Sequence, residues 1–304
     1  MNRYLPYIAG LTSSVIFGFS FLFTKMAIDF TSPFYFLAYR FSFAFIFLFV
    51  LKLSGILKAK VTEKSLIDLG LLAFIQPLMY FSLEITGINL TTSVEAGILI
   101  STIPVFVLIL SRIFLKEFLS GIQQFFMFLS LAGVILITIS RGLHFSKSLV
   151  GALFLIACSI SAAFYNILSR RASLNYTPAD ITYHMMLFGF LGFTSVAFFW
   201  SLLKRETFEF VRELLIREVM ISVLYLGILS SAVTFFLLNF TLSRIPATRA
   251  SVFPYISTVV ALFAGFVFRG ERLTLLSMVG ATMILLGVWW INAFASKMKR
   301  EVSE

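Results

Sequence analysis

Charge is scarce in this chain. Only 12% of its residues are Asp, Glu, Lys or Arg, where soluble domains carry about 25%. Such a supply cannot clothe a water-facing surface, which excludes a soluble globular protein. Cysteine is nearly missing as well. The one present, Cys158, lies in an apolar run, so a disulfide within one chain and a cysteine-based metal site are both excluded. There is no Gly-rich phosphate loop with its Lys-Ser/Thr ending, no HExxH, and no serine with a credible histidine and carboxylate. ATP hydrolysis, zinc hydrolysis and acyl transfer therefore have no residues to carry them, and no cofactor or metal is called for. An enzyme is the least supported reading.

What is present is apolar bulk. Hydrophobic residues make up 60% of the 304, phenylalanine alone accounts for 38, and the mean hydropathy is +0.99. A soluble core of this size cannot hide that many large rings, whereas a lipid-facing surface accepts them. The fold class is an all-α polytopic membrane protein, with the lipid bilayer as its first partner. The net charge of +10 would raise nucleic acid in a soluble domain, but these basic residues sit between apolar runs and act as orientation signals. Nucleic acid is not expected as a partner. The opening MNRYLPYIAG runs into a long apolar segment with no small-residue cleavage site, so the first helix is expected to stay.

Windows of about 20 apolar residues span a bilayer core of about 30 Å. Ten occur, near 4–28, 32–52, 66–88, 93–114, 121–139, 149–169, 178–203, 219–242, 247–268 and 273–294. The long connection before the eighth reads as an amphipathic surface helix with Phe208, Val211, Leu215 and Val219 on one face. Sliding the chain on itself by about 145 residues lays Ser32-Pro33 on Thr177-Pro178. About nine more residues in the second long loop then lay Phe81 on Phe235, Glu117 on Glu271 and Gly133-Val134 on Gly287-Val288. The chain reads as two five-helix repeats, 1–143 and 144–304. Because five is odd, the second copy enters the membrane from the opposite side, and inverted repeats of this kind suit alternating access. Lysine and arginine lie in excess on the side of the termini, which predicts both termini in the cytoplasm and a plasma-membrane location.

Lys116-Glu117-Phe118-Leu119 and Gly270-Glu271-Arg272-Leu273-Thr274 close the fourth helix of each repeat. With the Phe17-Gly18 step, an arginine in the second helix (Arg40), the run Pro246 to Ser251 and the final Leu286 to Val288, they resemble the EamA family of the drug/metabolite transporter superfamily. The resemblance covers essentially the whole chain. It implies a secondary carrier for a small molecule such as an amino acid or nucleoside, often an exporter, driven by a gradient of protons or another ion. The pattern departs in the ninth helix, where Thr258 stands in place of the expected proline and Pro254 lies one turn earlier. A kink there is expected to be displaced relative to Pro104 of the first repeat.

Cavity-lining groups should form polar stripes at helical spacing. Gln76, Tyr80 and Glu84 follow at i, i+4 and i+8, and Ser13, Phe17, Ser20 and Thr24 make a second stripe, matched by Cys158, Ala162, Tyr165 and Ser169. Tyr39, Asn166, His184 and Asn239 complete the expected stacking and hydrogen-bonding set around Arg40. For the serines and threonines the plainer reading is helix-to-helix hydrogen bonding, worth about 0.6 kcal/mol each. Arg40 has three readings: an outer gate or carboxylate site partnered by Glu84 or Glu95, a structural salt bridge, or snorkelling to the headgroups. His184 invites proton coupling, while Asp180 after Thr177-Pro178 has the form of a helix cap. Lys25, Arg170, Glu117 and Glu271 read as helix-end charges, and Pro77, Pro104 and Pro254 as bends inside helices. Close helix contacts are expected along Gly10, Ser14, Gly18 and along Ser257, Ala261, Gly265. An importer or exchanger of nucleosides, cofactors or nucleotide-linked metabolites, and a non-transporting interaction protein, stand as alternatives. A homodimer is allowed but not required.

Overall fold

In lipid every backbone group must be bonded within its own segment or to a neighbouring one, so runs of this length and apolarity become helices. In the computed structural model, which describes residues 4–28, 30–90, 93–140, 149–204, 207–269 and 273–301, ten helical spans are long and apolar enough to cross a membrane. The first half holds α1 (Leu5–Ile28), α2 (Pro33–Leu53), α3 (Glu63–Ala73), α4 (Tyr80–Leu90), α5 (Ser93–Ile100), α6 (Ile103–Phe114) and α7 (Gly121–Ser140). The second holds α8 (Leu149–Ala172), α9 (Pro178–Lys204), α10 (Thr207–Leu214), α11 (Arg217–Leu224), α12 (Thr234–Arg244), α13 (Ala247–Ala250), α14 (Pro254–Arg269) and α15 (Leu275–Glu301). A kinked segment, Phe74–Met79, joins α3 to α4, and a π-helical segment, Tyr225–Val233, joins α11 to α12. Starts are set by capping: Ser32 Oγ accepts from Tyr35 N ahead of Pro33, and Thr62 and Ser65 form a reciprocal box before α3.

The chain packs as two compact units that do not follow its sequence halves. The first unit is Met1–Phe81 with Leu168–Arg244, and the second is Ser82–Ile167 with Ile245–Glu304. In the first, α2 lies along α9 and along the π segment Tyr225–Val233, α1 along α12, and α9 also meets α3 and the kinked segment Phe74–Met79. Asn239 ties this unit internally, accepting from Ser169 Oγ at 2.6 Å and donating to Thr182 Oγ1 at 2.9 Å. Arg170 was expected to serve its own helix end; it donates to the Leu242 carbonyl in the last turn of α12, 2.9 Å away. Near the start of α3, Tyr176 Oη donates to Asp68 at 2.5 Å, and that bond raises the phenol above its ordinary pKa.

In the second unit α7 and α15 make the most extensive pairing. A Cβ on Gly133 would lie 2.5 Å from the Gly280 carbonyl, and one on Gly280 would lie 2.6 Å from the Gly133 carbonyl. Gly287 likewise faces Ser130 and the Phe126 carbonyl. This crossing was not among the expected small-residue stripes, whose members Gly10, Ser14, Gly18, Ser257 and Gly265 are nonetheless buried.

Three expectations change. Pro104 and Pro254 do not bend continuous helices: each sits at the start of a new one, α6 and α14, after turns at 101–102 and 251–253. The second break falls one turn earlier in the repeat register, as the displaced Pro254 requires, and Tyr255 Oη beside it donates at 3.0 Å to Ser101 O in the other break. The connection before the eighth span is a shorter helix than predicted. It ends at Leu214, Val219 belongs to α11, Val211 and Leu215 are exposed, and Phe210 packs inward instead; the side chain of Phe208 lies outside the described residues. Glu117 serves a helix start far from it in sequence: it accepts from Ala247 N, the first residue of α13, at 2.7 Å. We expect Glu117→Gln to lower stability by about 1.5 kcal/mol without changing transport specificity, read as thermal unfolding of the detergent-solubilised protein. Glu271 and the side chain of Lys25 lie outside the described residues.

Candidate functional site

Arg40 is carried near the middle of α2, where the neighbouring turns are aromatic, and its side chain is 5% exposed. It does not snorkel. Nε donates to Ser231 Oγ at 2.8 Å and Nη2 to Ser230 Oγ at 3.3 Å, both in the π segment Tyr225–Val233. Its Cζ stands 4.6 Å from the Phe81 ring centroid and 5.9 Å from that of Phe41, distances at which a cation is attracted by ring faces. Phe81 packs edge-on against Phe235, and Phe235 against Phe17. Ser230 Oγ is also 2.7 Å from Ser20 Oγ, and Tyr225 Oη donates to the Ile16 carbonyl, so α1 braces the same segment. Helix approach here is tight because residue 227 is glycine: a Cβ would meet the Arg40 carbonyl at 2.8 Å. A guanidinium keeps its charge under all ordinary conditions. Burying it among hydroxyls and rings creates a fixed positive charge within a membrane span, the kind of group that marks substrate and ion pathways.

The expected stripe Gln76, Tyr80, Glu84 is not a regular one. Gln76 has extended backbone angles (φ −139°, ψ 115°) at the kink in Phe74–Met79, so the i+4 step to Tyr80 is broken there; only Tyr80 and Glu84 share a regular helix, α4. The cause is Pro77, which removes a backbone donor inside the helical run. Gln76 is 4% exposed and its Oε1 has no hydrogen-bond partner. Pro77 and Phe41 meet at one point on α9: a Cβ on Gly189 would lie 2.6 Å from Phe41 Cδ1 and 2.8 Å from Pro77 Cγ. The neighbours in sequence of Arg40 and Gln76 thus touch the same glycine.

The other expected site residues are distributed as follows. Tyr39 is buried; its hydroxyl donates to the Phe210 carbonyl and its ring leans on Phe210, 4.7 Å between centroids. His184 is buried with both nitrogens engaged, Nδ1 to Asp180 O at 2.7 Å and Nε2 to Ser65 Oγ at 3.0 Å. Asp180 caps α9 as its sequence setting predicts, accepting from Thr177 N and Oγ1, and also takes Lys60 N at 2.6 Å. Tyr80 is buried beside Phe81. Glu84, Tyr165 and Asn166 belong to the second unit; Glu84 is half-buried, Tyr165 buried, and Asn166 donates to Ala162 O while its Oδ1 is buried without a partner. The side chain of Glu95, on α5, lies outside the described residues. Ser230 and Ser231 escaped the sequence reading, although the register that sets Phe81 on Phe235 sets Gln76 on Ser230 and so points to them.

The engagement of both His184 nitrogens between α3 and α9 leads to a prediction. His184→Gln should keep the wild-type pH profile of transport and lose thermal stability; a shifted profile in folded protein would instead make His184 the coupled proton site.

Comparison with known proteins follows the two sequence halves, not the two packing units. The EamA-like transporter family matches residues 5–139 and, separately, 149–293. YcxC, an uncharacterized transporter of Bacillus subtilis (strain 168), is 36% identical over 283 residues, 93% of this chain and 91% of that protein. A probable terminal-alkyne amino-acid exporter of Streptantibioticus cattleyicolor is 26% identical over 208 residues, 68% of this chain and 67% of its own. One solved crystal structure superposes with a TM-score of 0.78 over 95% of this chain and 98% of its own at 16% identity, a likeness of fold alone. Ten membrane spans, a family match in each half and a transporter alike over nearly its full length lead to one conclusion: the chain belongs to the EamA-like transporter family and is a multi-pass membrane transporter.

Proposed function

We propose that this transporter exports a small carboxylate-bearing metabolite, an amino acid or close relative, across the plasma membrane by alternating access, with both termini in the cytoplasm. The observation that carries the reading is Arg40, a permanent charge buried within a span, with the hydroxyls of Ser230 and Ser231 among its partners. A carboxylate binds a guanidinium more strongly than a serine does, because both partners are charged and two parallel bonds can form. Phe41, Phe81 and Tyr80 supply apolar and stacking surface beside it. The relative described as a probable amino-acid exporter points the same way.

The deciding experiment is flux through the purified protein in liposomes, with amino acids, nucleosides and adenine-containing metabolites, with and without a proton gradient. Saturable flux confined to amino acids or related carboxylates is expected. Flux confined to nucleosides or nucleotide-linked compounds would replace this reading by the importer or exchanger alternative.

A further inference from the structure

The two repeats differ most in the connection before their third span, where the second carries about nine extra residues and forms α10. That helix fills a corner of the first unit. Its Glu213 accepts from Thr31 Oγ1 at 2.5 Å and its Phe210 takes the rings of Tyr35 and Tyr39, while α11 lies directly against α1. The corresponding connection of the first repeat, 54–62, forms no helix. In the register of the hairpins Tyr176 stands in the place of Thr31, and its hydroxyl likewise meets a carboxylate, Asp68, at 2.5 Å. Beside that bond, α3 and the last turn of α8 border a cavity of about 370 Å³ whose lining residues all belong to the first unit.

The lining is sorted by depth. Asp68, Arg171, Asn175 and Tyr176 stand at the mouth, near the start of α3 and the end of α8, whereas Leu71, Leu72 and Leu168 lie about one turn, roughly 5 Å, farther along the spans. Leu72 is buried, but Leu71 is 60% exposed within a membrane span, so this wall opens to lipid. Charge at the mouth and hydrocarbon beneath it, in that order along the helices, is the profile of a phospholipid. Charge of both signs then selects the headgroup. A guanidinium pairs with phosphate oxygens through parallel bonds. A carboxylate repels a purely anionic headgroup and accepts from an ammonium, and the bond from Tyr176 uses only one of its roughly four acceptor positions.

We infer that this cavity is a binding site for phosphatidylethanolamine, with the lipid phosphate on Arg171, its ammonium on Asp68 and its chains along Leu71 and Leu168. The lipid takes the place that α10 fills in the other repeat. Phosphatidylcholine has the same net charge but its quaternary ammonium has no N–H to donate, and phosphatidylglycerol has no cation at all. Because α3 follows two spans, its start lies on the side where α1 starts, and the lipid belongs to that leaflet.

Native mass spectrometry of the full chain, delipidated in detergent and titrated with dioleoyl lipids, tests the site. Wild type should hold one phosphatidylethanolamine about 10-fold more tightly than phosphatidylcholine or phosphatidylglycerol. Asp68→Asn keeps an acceptor for Tyr176 but no charge, so the preference over phosphatidylcholine should vanish. Arg171→Gln should weaken both lipids by about 10-fold, since both bring a phosphate. Ala172→Trp, which fills the cavity and leaves both charges in place, should expel the lipid and decides the matter if a charge variant does not fold. Equal binding of the three lipids by wild type, or a preference that survives Asp68→Asn or Ala172→Trp, overturns the inference. Equal affinity for soluble glycerophosphoethanolamine overturns it too, because the leucines would then contribute nothing and the ligand would be a free headgroup.

Discussion

Arg40→Ala is expected to lower flux by about 100-fold, the loss of about 2.7 kcal/mol of charged hydrogen bonding to substrate, while the protein keeps or gains thermal stability. The two readouts are expected to part because the arginine is expensive at rest. Its guanidinium is buried at 5% exposure among rings and hydroxyls, and replacing buried charge by apolar groups is often neutral or stabilising. The partners left behind lose little: Ser230 keeps Ser20 at 2.7 Å, and a lone serine can turn back to its own helix. Arg40→Lys separates charge from shape. A lysine ammonium is a point charge on a flexible stem and cannot reproduce the fork that reaches Ser230 and Ser231 together, so flux should still fall by about 10-fold. If Arg40→Ala lowers stability and flux in parallel, the arginine is a structural member of its unit and the carboxylate site lies elsewhere.

Gly280→Leu should abolish recovery of folded protein from the membrane. Without a hydrophobic force between helices in lipid, close van der Waals packing must hold them, and it depends on small residues at the crossing. At Gly280 an added Cβ would stand 2.6 Å from the Gly133 carbonyl and 3.2 Å from Ile137 N, both rigid backbone. The same holds from the other side, where a Cβ on Gly133 meets Gly280 O at 2.5 Å. Gly280→Ala should cost about 2–3 kcal/mol. Gly133→Ala should cost as much, and the double variant less than the sum, since one separation of α7 and α15 relieves both clashes. Monodisperse recovery after extraction and unfolding in detergent read this out. Wild-type yield of Gly280→Leu would show that the crossing is looser than its geometry.

Arg40 and the ten spans were legible because both are matters of composition: long apolar runs, and one permanent charge inside one of them. Gln76 was legible as a polar residue in an apolar helix, but its oxygen's lack of a hydrogen-bond partner was not, because a helical stripe assumes an unbroken period and the chain kinks at Gln76-Pro77. Ser230 and Ser231 carry no signal of their own in the sequence, and only the repeat register, which lays Gln76 on Ser230, points to them. The α7 and α15 crossing was missed for a related reason. A search for small residues every fourth position finds Gly10, Ser14 and Gly18, whereas Gly133 and Gly280 meet at a single point and need no repeated spacing. Pro104 and Pro254 misled in the same direction, since a proline within an apolar run reads as a bend until the turn preceding it is seen.

The interleaving of the two units constrains how the molecule is made. Arg40 and its partner Ser231 are 191 residues apart, and at the usual pace of synthesis the serine emerges about 10–40 s after the arginine. For that interval the second helix must be threaded into lipid with its charge attended only by what has already been made, Phe41 beside it and then Phe81. Maturation of the first unit therefore waits on the ribosome reaching Arg244, and a chain arrested before that point leaves a charged helix in the bilayer, a ready signal for quality-control proteolysis.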